Sequence, residues 1–134
     1  DVLLGIAYCH DLKIVHRDLK FENCLLSKGP KRDIAKVIDF GLSAIRHEAD
    51  HPSSPPRPGQ QDDAWLNEAL GTKFFAAPEV IDKTRLYGSK CDLWSVGVML
   101  YILVTGEHPF AQDAAKKDAK ALFQLVLIGP YREE

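Results

Sequence analysis

Cysteine is scarce in this chain: only Cys9, Cys24 and Cys91, an odd number without a CxxC pair. That spacing supports neither a disulfide framework nor a thiolate metal site, and predicts buried thiols in a reducing compartment. Long apolar runs are missing too. The longest, residues 93–104, is interrupted by Ser95 and Gly97 and falls short of the roughly 20 residues a membrane helix needs. No signal peptide is visible, so a cytoplasmic protein without a membrane partner is the expectation. The net charge of −2 provides no electrostatic footprint for nucleic acid or an acidic membrane. The nine glycines never fall as GxGxxG, the pattern that lets backbone amides close over phosphates. The chain opens at Asp1 rather than methionine, inside an amphipathic pattern, and is expected to be cut from something longer.

What is present suits a folded domain. A length of 134 residues, 46% hydrophobic and 27% charged, is enough for one domain with a core. Val2, Leu3, Ile6 and Ala7 recur at helical spacing and predict a helix over residues 1–11. A β-prone stretch follows at 13–16. The apolar runs 24–27 and 34–38 flank turn chemistry at 28–33 and predict a hairpin. Residues 46–63 hold four of the eight prolines, with Ala49 as their one apolar side chain. Such a stretch cannot bury enough surface to offset its ordering entropy and predicts a flexible insert. Its His47 and His51 are four apart, but Pro52 and the solvated composition argue against a metal site. Trp65 and Leu66 should return the chain to the core. Ser89 to Asp92 reads as a capping box for a helix over 92–105 that is apolar nearly all round, and so predicted to be buried. Gly106 should stop that helix and Pro109 prevent its resumption. A second helix is predicted over about 114–128, with Lys116, Lys117 and Lys120 opposite Leu122, Leu125 and Val126 as a solvated face.

The chemistry concentrates at His16-Arg17-Asp18-Leu19-Lys20-Phe21-Glu22-Asn23 and Asp39-Phe40-Gly41. An aspartate can accept a proton from an attacking hydroxyl, and a lysine can neutralise a moving phosphoryl group. An asparagine oxygen and a second aspartate can hold magnesium, which prefers hard oxygen ligands. The predicted hairpin places Asn23 at the start of one strand and Asp39 at the end of the other, where twisted strands can bring both oxygens to one metal. His16 taken alone reads as a packed core histidine rather than a ligand.

These motifs resemble the catalytic loop and magnesium loop of eukaryotic protein kinases. The lysine two positions after the aspartate resembles the serine/threonine branch. Gly71-Thr72, Ala77-Pro78-Glu79 and the run 92–97 follow in that family's order and near its spacing. The VIDFGLSA stretch, the GTKFFAAPEV run and the helix exit LYILVTGEHPF look most like calcium- and calmodulin-regulated kinases and the calcium-dependent kinases of plants and protists. Phe21 departs from the proline commoner in the catalytic loop. It is not one of the polar groups, so the chemistry is expected to tolerate it.

The resemblance implies a mainly α fold with short β-hairpins: the large, C-terminal lobe of a kinase, incomplete and without its small lobe. It implies a partial kinase domain over 1–134, with catalytic loop 16–23, magnesium loop 39–41, activation segment 39–79 and buried helix 92–105. The implied reaction transfers the γ-phosphoryl group of ATP to a protein serine or threonine. Asp18 would orient the hydroxyl, Lys20 steady the phosphate, and Thr72 bridge the two. Asn23 and Asp39 would hold Mg2+, and Leu25 would lie beneath the adenine. His16 and Phe40 would belong to a stacked core column, with Gly41 completing the magnesium loop. Arg17 would fix the activation segment, Asp92 would anchor the catalytic loop, and Glu79 would pair with an arginine near the end of a complete domain. Glu68, three residues before Gly71, would stand where such kinases carry a phosphate; Ser53 and Ser54 are the rival switch. Glu22 would favour basic residues before the target, although Ile102 stands where strongly basophilic kinases carry another acid. Lys36, in a VAIK-like setting, follows the catalytic loop instead of preceding it and reads as an exposed strand residue. The implied partners are protein substrates, the small lobe and a calcium-sensing domain in a longer parent. The rival reading is a non-catalytic, pseudokinase-like scaffold, which loss of Asp18 or Asp39 would have favoured.

Overall fold

The structure, a computed structural model, describes residues 1–46, 66, 68, 70–82, 86–110 and 126. The elements run α1 (Val2–Asp11), β1 (Ile14–Val15), a 3-10 turn (Phe21–Asn23), β2 (Cys24–Ser27), β3 (Ile34–Val37), β4 (Ala44–Ile45), α2 (Pro78–Ile81) and α3 (Lys90–Thr105). Among the described residues the strands make two small antiparallel sheets, β1 with β4 and β2 with β3. This is a helical domain with short sheets.

Helix α1 ends where Lys13 turns left-handed at φ 62°, with the Lys13 N–H donating to His10 O at 2.9 Å. Asp1 makes no side-chain cap at its other end. Its carboxylate instead takes Arg32 Nη1 at 2.6 Å and the Ala35 N–H at 3.1 Å, tying α1 to the hairpin. The hairpin forms as the two apolar runs predict, in the register Cys24↔Val37 to Ser27↔Ile34. The Ile38 N–H donates to Asn23 O at 2.9 Å, so the ladder runs one step further and leaves Asp39 just past its end. Lys36 is exposed on β3. The pairing of β1 with β4, Ile14↔Ile45 and Val15↔Ala44, brackets both functional loops and is not evident from either two-residue strand alone.

Among the described residues three apolar clusters form the core, and α3 contributes to each of them. Cys91 joins Val15, Leu66, Ala77, Val80 and Tyr87. Val98 joins Phe110 and Val126, and Met99 joins Ile6 and Leu19. Gly106, left-handed at φ 74°, closes α3 with its N–H on Ile102 O at 2.8 Å.

Three expectations need correction. Ser89 makes no side-chain cap bond, and Asp92 is not part of a capping box, because its carboxylate turns away to the His16 and Arg17 amides. Helix α3 is not buried all round: Leu93, Leu100, Tyr101, Leu103 and Val104 are exposed, the last at 77%. One side meets the core while these side chains stay largely open, which an apolar sequence cannot reveal. Of the three free thiols only Cys91 is buried; Cys9 and Cys24 are half-buried. The insert expected beyond Arg46, with His47, His51, Ser53 and Ser54, lies outside the described residues, as do Trp65 and the helix expected over 114–128 except Val126, which is helical and buried.

Asp92, 1% exposed, is the joint of this architecture. Its Oδ2 accepts from the His16 N–H and its Oδ1 from the Arg17 N–H, both at 2.9 Å. Oδ2 also meets His10 Nε2, in the last turn of α1, at 2.9 Å. Replacing Asp92 with alanine strands two backbone donors, at about 1–3 kcal/mol each. The substitution should cost about 3 kcal/mol or more, read as a lower urea midpoint; an unchanged midpoint would show that those donors find other acceptors.

Candidate active site

The left-handed non-glycine residues of the described chain bracket one small region: Lys13, Arg17 at φ 70° and Asp39 at φ 61°. Such conformations cost non-glycine residues about 1–3 kcal/mol each and persist only where the surroundings enforce them. At Arg17 the enforcement is the Asp92 carboxylate on two successive amides. The turn aims Asp18 into the site and returns the Arg17 side chain beneath the segment that follows Asp39.

Asp18 is buried among donors. Its Oδ1 accepts from the Thr72 N–H and the Thr72 hydroxyl, each at 2.7 Å. Its Oδ2 accepts from Lys20 Nζ at 2.9 Å and Asn23 Nδ2 at 3.2 Å. Lys20 Nζ also donates to Thr72 Oγ1 at 2.8 Å, so the hydroxyl bridges carboxylate and ammonium as expected. Burial works against ionisation of Asp18, but the Lys20 ammonium and the two Thr72 donors outweigh it and hold the carboxyl below the usual carboxylate value. The Asp18 hydrogen bond raises Lys20 above the ordinary lysine value despite some desolvation. Both groups are charged at neutral pH.

Asn23 Nδ2 donates to Asp18 O at 2.8 Å as well, which leaves the amide oxygen as the free end of the side chain. Asp39 is exposed, and its Oδ1 accepts from the Gly41 N–H at 3.2 Å. Among the described residues no group of three or more His, Cys, Asp and Glu can hold a metal ion. One amide oxygen and one open carboxylate at the mouth of a hairpin do fit magnesium, which takes few protein oxygens and completes its shell with phosphates and water.

His16 is fully buried, with both ring nitrogens engaged. Nδ1 accepts from the Asp18 N–H at 3.3 Å, so Nε2 carries the proton and donates to Ile38 O at 3.0 Å. Its ring meets Phe40 edge-on at 4.9 Å. His16 is therefore a packed link between the two loops and has no nitrogen to spare for a metal. Leu25, on β2, is 52% exposed and open to a flat ligand.

Arg17 Nε donates to Leu42 O at 2.6 Å, and its Nη atoms reach Ser43 O and Glu68 Oε2 at 3.4 Å each. Glu68 thus meets Arg17, but its side chain is 66% exposed, and the two carbonyls are already partners for the guanidinium. Gly71 crosses the 16–23 loop so closely that a Cβ there would overlap Arg17 O, and its φ is 93°; glycine is required on both counts. Glu79 is half-buried in the first turn of α2.

The structure also brings in residues that the motifs do not announce. His10 is a further partner of Asp92. Tyr87 Oη donates to Glu68 O at 2.5 Å and so ties down the segment before Gly71. Ser95 Oγ lies 2.8 Å from Phe75 O and 3.2 Å from Cys91 O. Phe21 packs edge-on against Phe75 at 6.0 Å, an apolar use for the position at which the motif departs from proline. Only the apolar character of Phe21 and Tyr87 hinted at such roles in the sequence.

The Thr72 hydroxyl has a testable electrostatic role. Thr72→Val removes it at nearly constant shape and should move the Asp18 titration to higher pH, while Thr72→Ser should leave it in place, as read by side-chain carboxyl NMR. The stability drawn from this cluster is complete above the unfolded carboxylate range and is lost as pH falls through the lowered folded value. The valine variant should therefore begin to lose it at higher pH than wild type. An unmoved titration in the valine variant would assign the whole effect to Lys20 and the Thr72 N–H.

The family model described as protein kinase domain matches residues 1–133. Serine/threonine-protein kinase 33 of Mus musculus is 36% identical over 97% of the chain and 24% of that protein. Sperm motility kinase 3A of Mus musculus is 40% identical over 97% of the chain and 22% of that protein. CDPK-related kinase 1 of Arabidopsis thaliana is 41% identical over 81% of the chain and 16% of that protein. The chain spans about a quarter or less of the length of these relatives. With the family match running almost end to end and the motif residues gathered around Asp18, this chain belongs to the protein kinase domain family.

Proposed function

We propose that these residues supply the catalytic and magnesium-binding loops of a serine/threonine kinase that transfers the ATP γ-phosphoryl group to protein hydroxyls. The observation that carries this is the Asp18–Lys20–Thr72 cluster, a carboxylate and an ammonium bridged by one hydroxyl. In this reading the chain is the larger, C-terminal lobe, with catalytic loop 16–23, magnesium loop 39–41 and activation segment 39–79. A small lobe in the parent protein covers the nucleotide.

Magnesium, when bound, neutralises charge on the phosphates. Asn23 and Asp39 hold it through their oxygens, and exposed Leu25 offers an apolar seat for the adenine. Asp18 orients the substrate hydroxyl by accepting its hydrogen bond. A carboxylate held below its usual range is a weak base, so its proton is taken late, as a loose phosphoryl-transfer transition state allows. Lys20 is charged and within reach of both Asp18 and Thr72, where it stabilises the transferring group. Thr72 fixes the distance between these two and joins the substrate-facing loop to them. Glu22 is exposed and open to basic substrate residues.

The free thiols support a reducing, cytoplasmic setting. Among the described residues no helix is long and apolar enough to cross a membrane. The resemblance of the magnesium loop and helix exit to calcium-regulated kinases, together with the similarity to a CDPK-related kinase, supports a parent carrying a calcium-sensing domain.

Two outcomes test the reading in the full-length parent. Asp18→Asn keeps the shape but removes the base, and should lower kcat by about 10²–10⁴-fold with little change in the KM for ATP; undiminished turnover sinks the assignment. Glu68→Ala should reduce activity only a few-fold, because so exposed a pair contributes at most about 1 kcal/mol, while Ser53→Ala with Ser54→Ala leaves activity unchanged. The reverse pattern would move the switch to the proline-rich insert.

A further inference from the structure

His108 lies in the helix exit LYILVTGEHPF but was given no role there, yet both of its ring nitrogens are committed. The Phe110 N–H donates to Nδ1 at 3.2 Å. Nδ1 is therefore unprotonated, and the neutral ring carries its proton on Nε2, which lies 2.7 Å from Phe74 O. The ring is a directional link: it accepts from the segment after α3 and donates to the loop that carries Thr72.

Both sides of that link are anchored. On the near side, Gly106 caps α3, and the Glu107 N–H donates to Thr105 Oγ1 at 3.2 Å. Phe110 is buried and stacks on Trp94 at 5.4 Å with the rings 8° from parallel. On the far side, residues 72–75 form a tight turn closed by the Phe75 N–H on Thr72 O at 3.0 Å. Phe74 is the third residue of that turn, and Thr72, its first, makes the two bonds to Asp18 Oδ1. Holding the Phe74 carbonyl therefore constrains the turn that delivers the Thr72 hydroxyl.

We infer that His108 is a positioning residue: by donating from Nε2 to the Phe74 carbonyl it holds the 72–75 turn against Asp18 and so sets the alignment of the phosphoryl-transfer site. This deepens the function proposed above and rests on it for its kinetic consequence, though not for its structural one. The competing account is packing alone, since the His108 ring also meets Phe74 at 6.2 Å, Phe75 at 6.4 Å and Phe110 at 6.0 Å.

Two substitutions separate these accounts. His108→Gln keeps an N–H donor able to reach the carbonyl but loses the ring, whereas His108→Phe keeps an aromatic ring and loses the donor. The first measurement is the Asp18 titration by carboxyl NMR, together with the Thr72 amide resonance, neither of which requires turnover. The glutamine variant should match wild type, and the phenylalanine variant should shift both, with Asp18 titrating at higher pH, as in Thr72→Val. The second is peptide phosphorylation by the full-length protein. The phenylalanine variant should lose about ten- to a hundredfold in kcat, the scale set by small misplacements of catalytic groups. Its KM for ATP should hold, and glutamine should restore kcat. A phenylalanine variant equal to wild type in the Asp18 titration and Thr72 resonance, or equal shifts in both variants, overturns the inference. Because the NMR measurement needs no catalysis, it decides the positioning role even if the kinase reading itself fails the Asp18→Asn test.

Discussion

One buried carboxylate determines where the rest of the site can be. Asp92 on α3 accepts from the amides of His16 and Arg17 and meets His10 from α1, so two helices and the 16–23 loop meet on two oxygen atoms. A carboxylate removed from water is costly unless its lone pairs are used, and these are used by groups that have no other described acceptor. The same bonds sustain the left-handed Arg17. Charge-assisted hydrogen bonds of about 1.5–3 kcal/mol each are large enough to offset the roughly 1–3 kcal/mol of that backbone strain.

Everything nearer the chemistry follows from that anchor. With Arg17 turned, Asp18 faces Thr72 and Lys20, and the close crossing of Gly71 over Arg17 O brings Thr72 into reach. His16, held by its amide, uses its ring to join Asp18 N to Ile38 O across the two loops. The hairpin then carries Asn23 and Asp39 to the same end of the structure. Hydrogen bonds, not apolar packing, set the geometry at this end, whereas the three apolar clusters set the distance between α3 and the rest.

Helix α3 combines these roles with a third. Its first turn holds the loop, its core side fills all three clusters, and its remaining faces expose Leu100, Leu103 and Val104. Apolar side chains open to water on this scale are characteristic of surfaces that meet another body. The same holds for Leu3, Leu4 and Tyr8 on α1 and for Leu25 and Leu26 on the hairpin.

The sequence by itself determined the elements and the identity of the chemical groups. Helical spacing marked α1, two apolar runs around a turn marked β2 and β3, Gly106 marked the end of α3, and the ordered motifs named Asp18, Lys20, Asn23, Asp39, Thr72 and Asp92. These features were legible because they depend on neighbours a few residues apart, or on residue types that chemistry demands together. Tertiary structure decided which partner each polar group takes. Asp92 sits where a capping box would place it, yet binds residues 75 to 82 positions away. Arg17 divides itself between two carbonyls and a distant glutamate. His108 finds Phe74, 34 residues earlier. Which faces of α3 are covered is likewise a matter of what the chain packs against. Local sequence sets a residue's periodicity and chemistry, but a carboxylate or an imidazole has several possible partners, and only the approach of distant segments selects among them.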